Sequence, residues 1–120
     1  MTPTTTTPLH VHVRHRTTDA DTLYAAYTRA RRDLAGVPGL TGLELLHDTA
    51  DPDAWLLVMR WSGRAAYETW ESSPAHRGYR SPMRPFQDRT HPDGHYTVYE
   101  DRAADESEVP APAPAPTPAR

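Results

Sequence analysis

Trp61-Ser62-Gly63-Arg64-Ala65-Ala66-Tyr67-Glu68-Thr69-Trp70-Glu71-Ser72-Ser73-Pro74-Ala75-His76 is the stretch on which the fold turns. The run leading into it, Ala54-Trp-Leu-Leu-Val-Met-Arg-Trp61, is almost continuously apolar, as expected of a strand buried on both faces inside a sheet. At Ser62 the pattern changes. Serine is a favoured N-cap, and over residues 64–71 Ala66, Tyr67 and Trp70 fall on one face of a helix. Ser73-Pro74 then combines a capping side chain with a proline suited to a first helical turn, predicting a second turn or short helix through Arg80. The segment therefore reads as a strand that ends on Trp61 and hands the chain to a helix carrying Tyr67 and Trp70.

Upstream, Leu9-His-Val-His-Val-Arg-His-Arg16 alternates Leu9, Val11 and Val13 with His10, His12 and Arg14, the period of two of a strand with one apolar face. Thr18-Asp19 can cap a helix over residues 20–34, in which Leu23, Tyr24, Tyr27, Ala30 and Leu34 recur at three- and four-residue spacing. Gly36-Val-Pro-Gly39 ends that helix, because the residue before a proline avoids the helical region and glycine suits a left-handed turn. Leu40–His47 is a second strand, joined through the polar Asp48-Thr-Ala-Asp-Pro-Asp53 connection to the apolar third strand. Downstream, Ser81-Pro-Met-Arg-Pro85 is too rich in proline for regular structure, and residues 95–100 return as a last strand. The order is βαββαβ, an α+β, ferredoxin-like (split βαβ) arrangement.

The chain has 120 residues. Its N-terminus, Met1-Thr-Pro-Thr-Thr-Thr-Thr-Pro8, and the acidic, proline-rich stretch over residues 101–120 read as a disordered leader and tail. About ninety residues (9–100) remain as a single folding unit. A domain that small buries only ~60–65% of its unfolded surface, which predicts a homodimer. Cysteine is absent, which removes disulfides, thiolate metal sites and a cysteine nucleophile. There is no apolar run long enough for a membrane helix and no signal peptide, so a cytoplasmic location is expected. All thirteen basic residues are arginine, scattered along the chain at a net charge of −3, which does not favour nucleic-acid binding.

At Val37-Pro38-Gly39-Leu40, at Trp61-Ser62 with Ala65-Ala66-Tyr67, at Trp70 and at Ser73-Pro74-Ala75-His76, the chain resembles the antibiotic biosynthesis monooxygenase family. The resemblance spans the whole expected domain. It implies a dimeric α/β barrel, with a ligand cavity in each subunit between the sheet and the helices. It also implies a small aromatic substrate and one of several activities: cofactor-independent monooxygenation of an anthrone-like polyketide intermediate, haem degradation, or polyketide cyclisation on a related barrel. Trp61 and Tyr67 match the monooxygenases' Trp and Tyr at the same six-residue separation. Two departures follow from the same comparison. Those enzymes carry an asparagine four residues before the Trp, where this chain has Leu57. The haem-degrading branch has its ligating histidine where this chain has Arg80, and its first-strand asparagine has no counterpart, so haem oxygenation is not expected, while His76, about one helical turn away, leaves haem binding open.

The resemblance thus nominates Trp61, Tyr67, His47 and His76 as catalytic, with Trp70, Arg80, Arg84, Leu57 and Tyr27 around the substrate and molecular oxygen as co-substrate. Each nomination has a plainer counterpart. Trp61, Tyr67 and Trp70 are also what a small core would use, since buried aromatics cover ~150–250 Å² each. His47 and His76 have the right intrinsic pKa for a base, yet His47 also suits a hairpin entrance. Arg77, Arg80 and Arg84 read equally as a solvated face or as contacts to an anionic ligand group. His10 and His12 share a strand face, but no third ligand follows in that strand, which favours a polar face over a metal site. The leading expectation is a cofactor-independent monooxygenase of an aromatic polyketide-type intermediate; the alternatives are a cyclase or dehydratase, or a non-catalytic ligand-binding accessory protein.

Overall fold

A computed structural model describes residues 6–106 and 108–112. Its elements run β1 (Leu9–Arg16), α1 (Ala20–Asp33), β2 (Leu40–His47), β3 (Ala54–Trp61), α2 (Arg64–Ser72), α3 (Pro74–Gly78) and β4 (Tyr96–Glu100). The four strands form one antiparallel sheet in the order β2-β3-β1-β4, with the apolar β3 inside it as its composition predicts. Since β3 lies between β1 and β2, the chain must cross the sheet through α1 to reach β2. This is the expected ferredoxin-like α+β fold.

Register assigns the faces. Leu9, Val11, Val13 and His15 lie opposite Trp61, Met59, Leu57 and Trp55 of β3, and the core gathers on this side with Leu23, Ala26, Tyr27 and Ala30 of α1 and with Met83. The other side carries His10, His12 and Arg14 from β1, the Glu44–Arg60 ion pair, and the exposed Leu46 and Tyr99. α1 begins as expected, with the Asp19 carboxylate accepting from the Thr22 N–H at 3.1 Å. Gly39 closes the α1–β2 turn at φ 83°, and a Cβ there would run into that of Ala66, so the glycine lets α2 sit directly on the start of β2.

Several expectations need correction. Tyr24 lies outside the buried stripe at 65% exposure, and Ala26 takes its place, because the stripe through Leu23, Tyr27 and Ala30 leaves position 24 at its edge. Ser62 does not cap α2. Its N–H is held by the Gly39 carbonyl at 2.7 Å, which keeps it in the turn and leaves Gly63 as a cap without a side-chain bond. The short helix opened by Ser73 and Pro74 ends at Gly78 rather than at Arg80. The segment after Ser81 contains a 3-10 turn at Arg84–Phe86 and buries Met83 to 1% exposure, despite its prolines.

Of the expected leader and tail, residues 1–5, 107 and 113–120 lie outside the described residues. Local structure continues past residue 100. The Asp101 N–H donates to the Pro8 carbonyl at 2.9 Å, and Ala104–Glu106 forms a 3-10 turn. Among the described residues no helix is long and apolar enough to cross a membrane.

Candidate functional site

Between the core face of the sheet, the α2–α3 pair and the 81–87 segment lies a cavity of about 240 Å³. Its waist is apolar, formed by Val11, Val13, Leu43, Leu57 and Met59. Trp61, the last residue of β3, closes one end and is 1% exposed. The Tyr67 ring meets it edge-on, centroids 5.7 Å apart at 64°. A six-residue separation accomplishes this because the first residue ends a strand and the second lies in the opening turns of the helix that folds back over it.

Trp70 and His76 make a second edge-on pair at 5.3 Å. The interruption between α2 and α3 is what brings His76 there. Ser73 Oγ accepts from the His76 N–H at 3.1 Å, fixing the first turn of α3 against the end of α2. Glu71, four residues after Tyr67 and so on the same helical face, has Oε2 3.6 Å from His76 Nε2. That contact directs Nε2–H toward the carboxylate and leaves Nδ1 as the acceptor. Nδ1 is buried without a protein partner, and so is the Trp61 indole Nε1–H. Tyr67 is pushed well above its ordinary pKa by burial and by the Glu71 charge, so its hydroxyl stays protonated as a donor. Tyr79, at the rim, is raised to about 12 by burial and by its bond to Asp33.

Sequence reasoning missed His15. The alternation that assigned Leu9, Val11 and Val13 to the core face puts His15 there too, one step further along, and this was the available signal. It is 2% exposed. Its Nδ1 lies 2.9 Å from the Val13 carbonyl, which can only accept, so Nδ1 carries the proton. Nε2 has no partner. Burial pulls its pKa below the ordinary histidine value, so the ring is neutral near pH 7. His95, expected at a strand edge, also borders the cavity.

The nominated residues divide cleanly. Trp61, Tyr67, Trp70, His76 and Leu57 line the cavity. Tyr27 is buried but is not part of the cavity wall; its hydroxyl donates to the Leu43 carbonyl at 3.0 Å, a packing role. His47 stands apart at the exposed β2–β3 hairpin. It is stacked on Trp55 at 3.8 Å, donates from Nε2 to the Pro52 carbonyl at 2.8 Å, and borders a different cleft. Arg80 and Arg84 are exposed, as is Arg77, and none of the three lines the cavity. His10 and His12 stack on the opposite side of the sheet, where His10 Nε2 is 3.3 Å from Asp101. Among the described residues no group of three or more His, Asp or Glu is placed to hold a metal ion.

Solved structures share this architecture. SnoaB, a cofactor-independent oxygenase from Streptomyces nogalater, superimposes with a TM-score of 0.61 at 12% identity, over 81% of this chain and 94% of its own. A conserved protein from Methanosarcina mazei gives 0.61 at 7% identity, over 82% and 96%, and a protein from Shewanella oneidensis gives 0.56 at 18%, over 82% and 93%. At these identities the likeness concerns the fold. No curated protein sequence matches the chain. The antibiotic biosynthesis monooxygenase family model matches residues 9–81. With more than half its length so matched, the chain belongs to the antibiotic biosynthesis monooxygenase family.

Proposed function

We propose that the protein is a cofactor-independent monooxygenase acting on an anthrone-like aromatic intermediate of polyketide type. The observation that carries this reading is the combination of a hydrogen-bond donor, Trp61 Nε1, and an acceptor, His76 Nδ1, both buried without partners in one apolar cavity beside Tyr67. Such a pair suits carbon-acid chemistry. His76 Nδ1 takes the proton from the methylene carbon of the substrate, and the Glu71 carboxylate beside Nε2 stabilises the resulting imidazolium. The electrons released reside on an enolate oxygen, to which Trp61 Nε1–H and the protonated Tyr67 hydroxyl donate. In a dry site, donors aimed at a developing oxyanion are the largest single catalytic contribution. The electron-rich anion reduces molecular oxygen directly; one oxygen atom enters the carbon to give the quinone and the other leaves as water.

The fold of SnoaB, itself described as a cofactor-independent oxygenase, supports the reading. Leu57 marks the difference from the monooxygenases this chain resembles, because no amide stands at that point of the wall. We further propose that the side of the sheet bearing Leu46 and Tyr99 pairs with a second copy, which light scattering would register as a dimer mass. The activity test is anthrone in air-saturated buffer after chelator treatment, followed by oxygen electrode and quinone absorbance. Matched oxygen uptake and quinone formation are expected, with no conversion under nitrogen. Conversion under nitrogen to a cyclised or dehydrated product would instead establish a cyclase. Tight binding with no conversion in either atmosphere would leave an accessory binding protein.

A further inference from the structure

We propose that His15 is a second polar subsite, at the end of the cavity remote from Trp61, where its Nε2 accepts a hydrogen bond from a hydroxyl group of the bound aromatic ligand. The inference rests on the aromatic-ligand reading above and adds a specificity determinant to it. Trp61 faces Leu9 across the β1–β3 ladder, and His15 lies six positions further along β1 (9 to 15). At ~3.3 Å per residue the two backbones are about 20 Å apart along the sheet. Both side chains nevertheless line the same cavity, with the apolar waist of Val11, Val13, Leu57 and Met59 between them. The cavity is therefore bipolar: the Trp61, Tyr67 and His76 cluster stands at one end and His15, with Gln87 and His95 beside it, at the other.

The chemistry of the remote end is specific. His15 is 98% buried (2% exposed), and its single proton is committed to the Val13 carbonyl. Trp55, its partner across the ladder, leaves its own indole N–H unpaired and does not meet Nε2. Burial keeps the ring neutral. Nε2 is thus an acceptor with no protein donor, and buried polar atoms rarely remain unpaired, the missing partner being supplied by water or by a bound molecule. A neutral acceptor selects hydroxyl over methyl ether, since an ether has no proton to give. At the other end Trp61 donates to either oxygen, but the unpartnered His76 Nδ1 also needs a hydroxyl proton, so a ligand with a single hydroxyl satisfies only one end.

The test is calorimetric titration with 2,6-dihydroxynaphthalene, which offers a hydroxyl to each end, against its monomethyl ether. The diol is expected to bind about tenfold more tightly, the size of one net hydrogen bond. That preference should fall to about twofold, the statistical value for two equivalent hydroxyls, in His15→Phe, whose ring offers no acceptor at that position. Were His15→Phe to unfold, the wild-type protein gives the same answer: the ¹⁵N resonance of His15 Nε2 should move toward the hydrogen-bonded range when the diol is added. An unshifted Nε2 resonance, or a hydroxyl preference unchanged in His15→Phe, would overturn the subsite while leaving the aromatic-ligand reading intact. If neither naphthalene binds, that reading falls and the subsite with it.

Discussion

Replacing Trp61 with phenylalanine separates the packing role of the indole from its chemical one. Trp61 is 1% exposed, and its Nε1–H has no protein partner. Losing the second ring removes apolar contact worth about 1–2 kcal/mol, while deleting an unsatisfied buried donor returns about 1–3 kcal/mol. The two effects oppose each other, so the net change in stability is expected to lie between about 1 kcal/mol of loss and about 2 kcal/mol of gain, at roughly 4–8 °C in Tm per kcal/mol for a domain of this size. Catalysis should respond on a different scale. If Nε1–H donates to the oxyanion, its loss resembles removal of an oxyanion-hole donor, about 2.7–4 kcal/mol, and kcat should drop by about 10²–10³. Oxygen uptake with anthrone, measured beside a thermal melt, reads both numbers. A variant that keeps kcat within twofold of wild type while remaining folded would refute the assignment of Trp61 to the oxyanion and reduce it to a core residue.

Other perturbations follow from the same geometry. Gly39→Ala must place a Cβ at φ 83° against that of Ala66, whereas Gly36→Ala meets nothing within 4 Å at the same φ; chemical denaturation should show a loss of about 2–4 kcal/mol for the first and about 1–2 kcal/mol for the second. Leu57→Asn puts an amide into the cavity wall and should raise kcat about tenfold, through a hydrogen bond to a charged group of about 1.5 kcal/mol, at the expense of a lower melting temperature; a rate at or below wild type would show that the amide does not reach the anion. Stability should also depend on pH. His12, His15 and His95 all lie below the ordinary value of 6.5, chiefly through burial. In the unfolded chain these rings take up protons near 6.5 while the folded protein resists, so the unfolded state binds more protons there. Tm should accordingly be flat between about pH 7 and 9 and fall between about pH 6.5 and 5, with a shallower fall in His15→Phe. The lowered carboxylates Asp51 and Asp88 act only at more acid pH.

Local patterns read well from the sequence because their causes are local. The period-two alternation of β1, the apolar run of β3, the Asp19 cap and the Ser73-Pro74 restart each depend on neighbours a few residues away, and each stands where expected. The misreadings came from contacts distant in sequence. Ser62 has the chemistry of a cap, but its backbone is captured by Gly39. Met83, in a proline-rich segment that looked irregular, is a fully buried core residue. The candidate site divided in the same way. Trp61, Tyr67, Trp70 and His76 meet because one strand-to-helix junction holds them together, which spacing alone can express.

His47, Arg80 and Arg84 have side chains as suitable as those at the site, and only the tertiary arrangement leaves them outside it. His15 is the opposite case, a residue that looked like one more polar position in a histidine-rich strand. The sequence by itself determined the order of elements, the face each strand presents and the aromatic cluster at the β3–α2 junction, since these follow from periodicity and short-range spacing. Only the tertiary structure decided which polar atoms are enclosed and left without partners. Enclosure depends on what packs from the far side of the cavity, and for His15 the wall includes the 81–87 segment and His95, some seventy to eighty residues away along the chain.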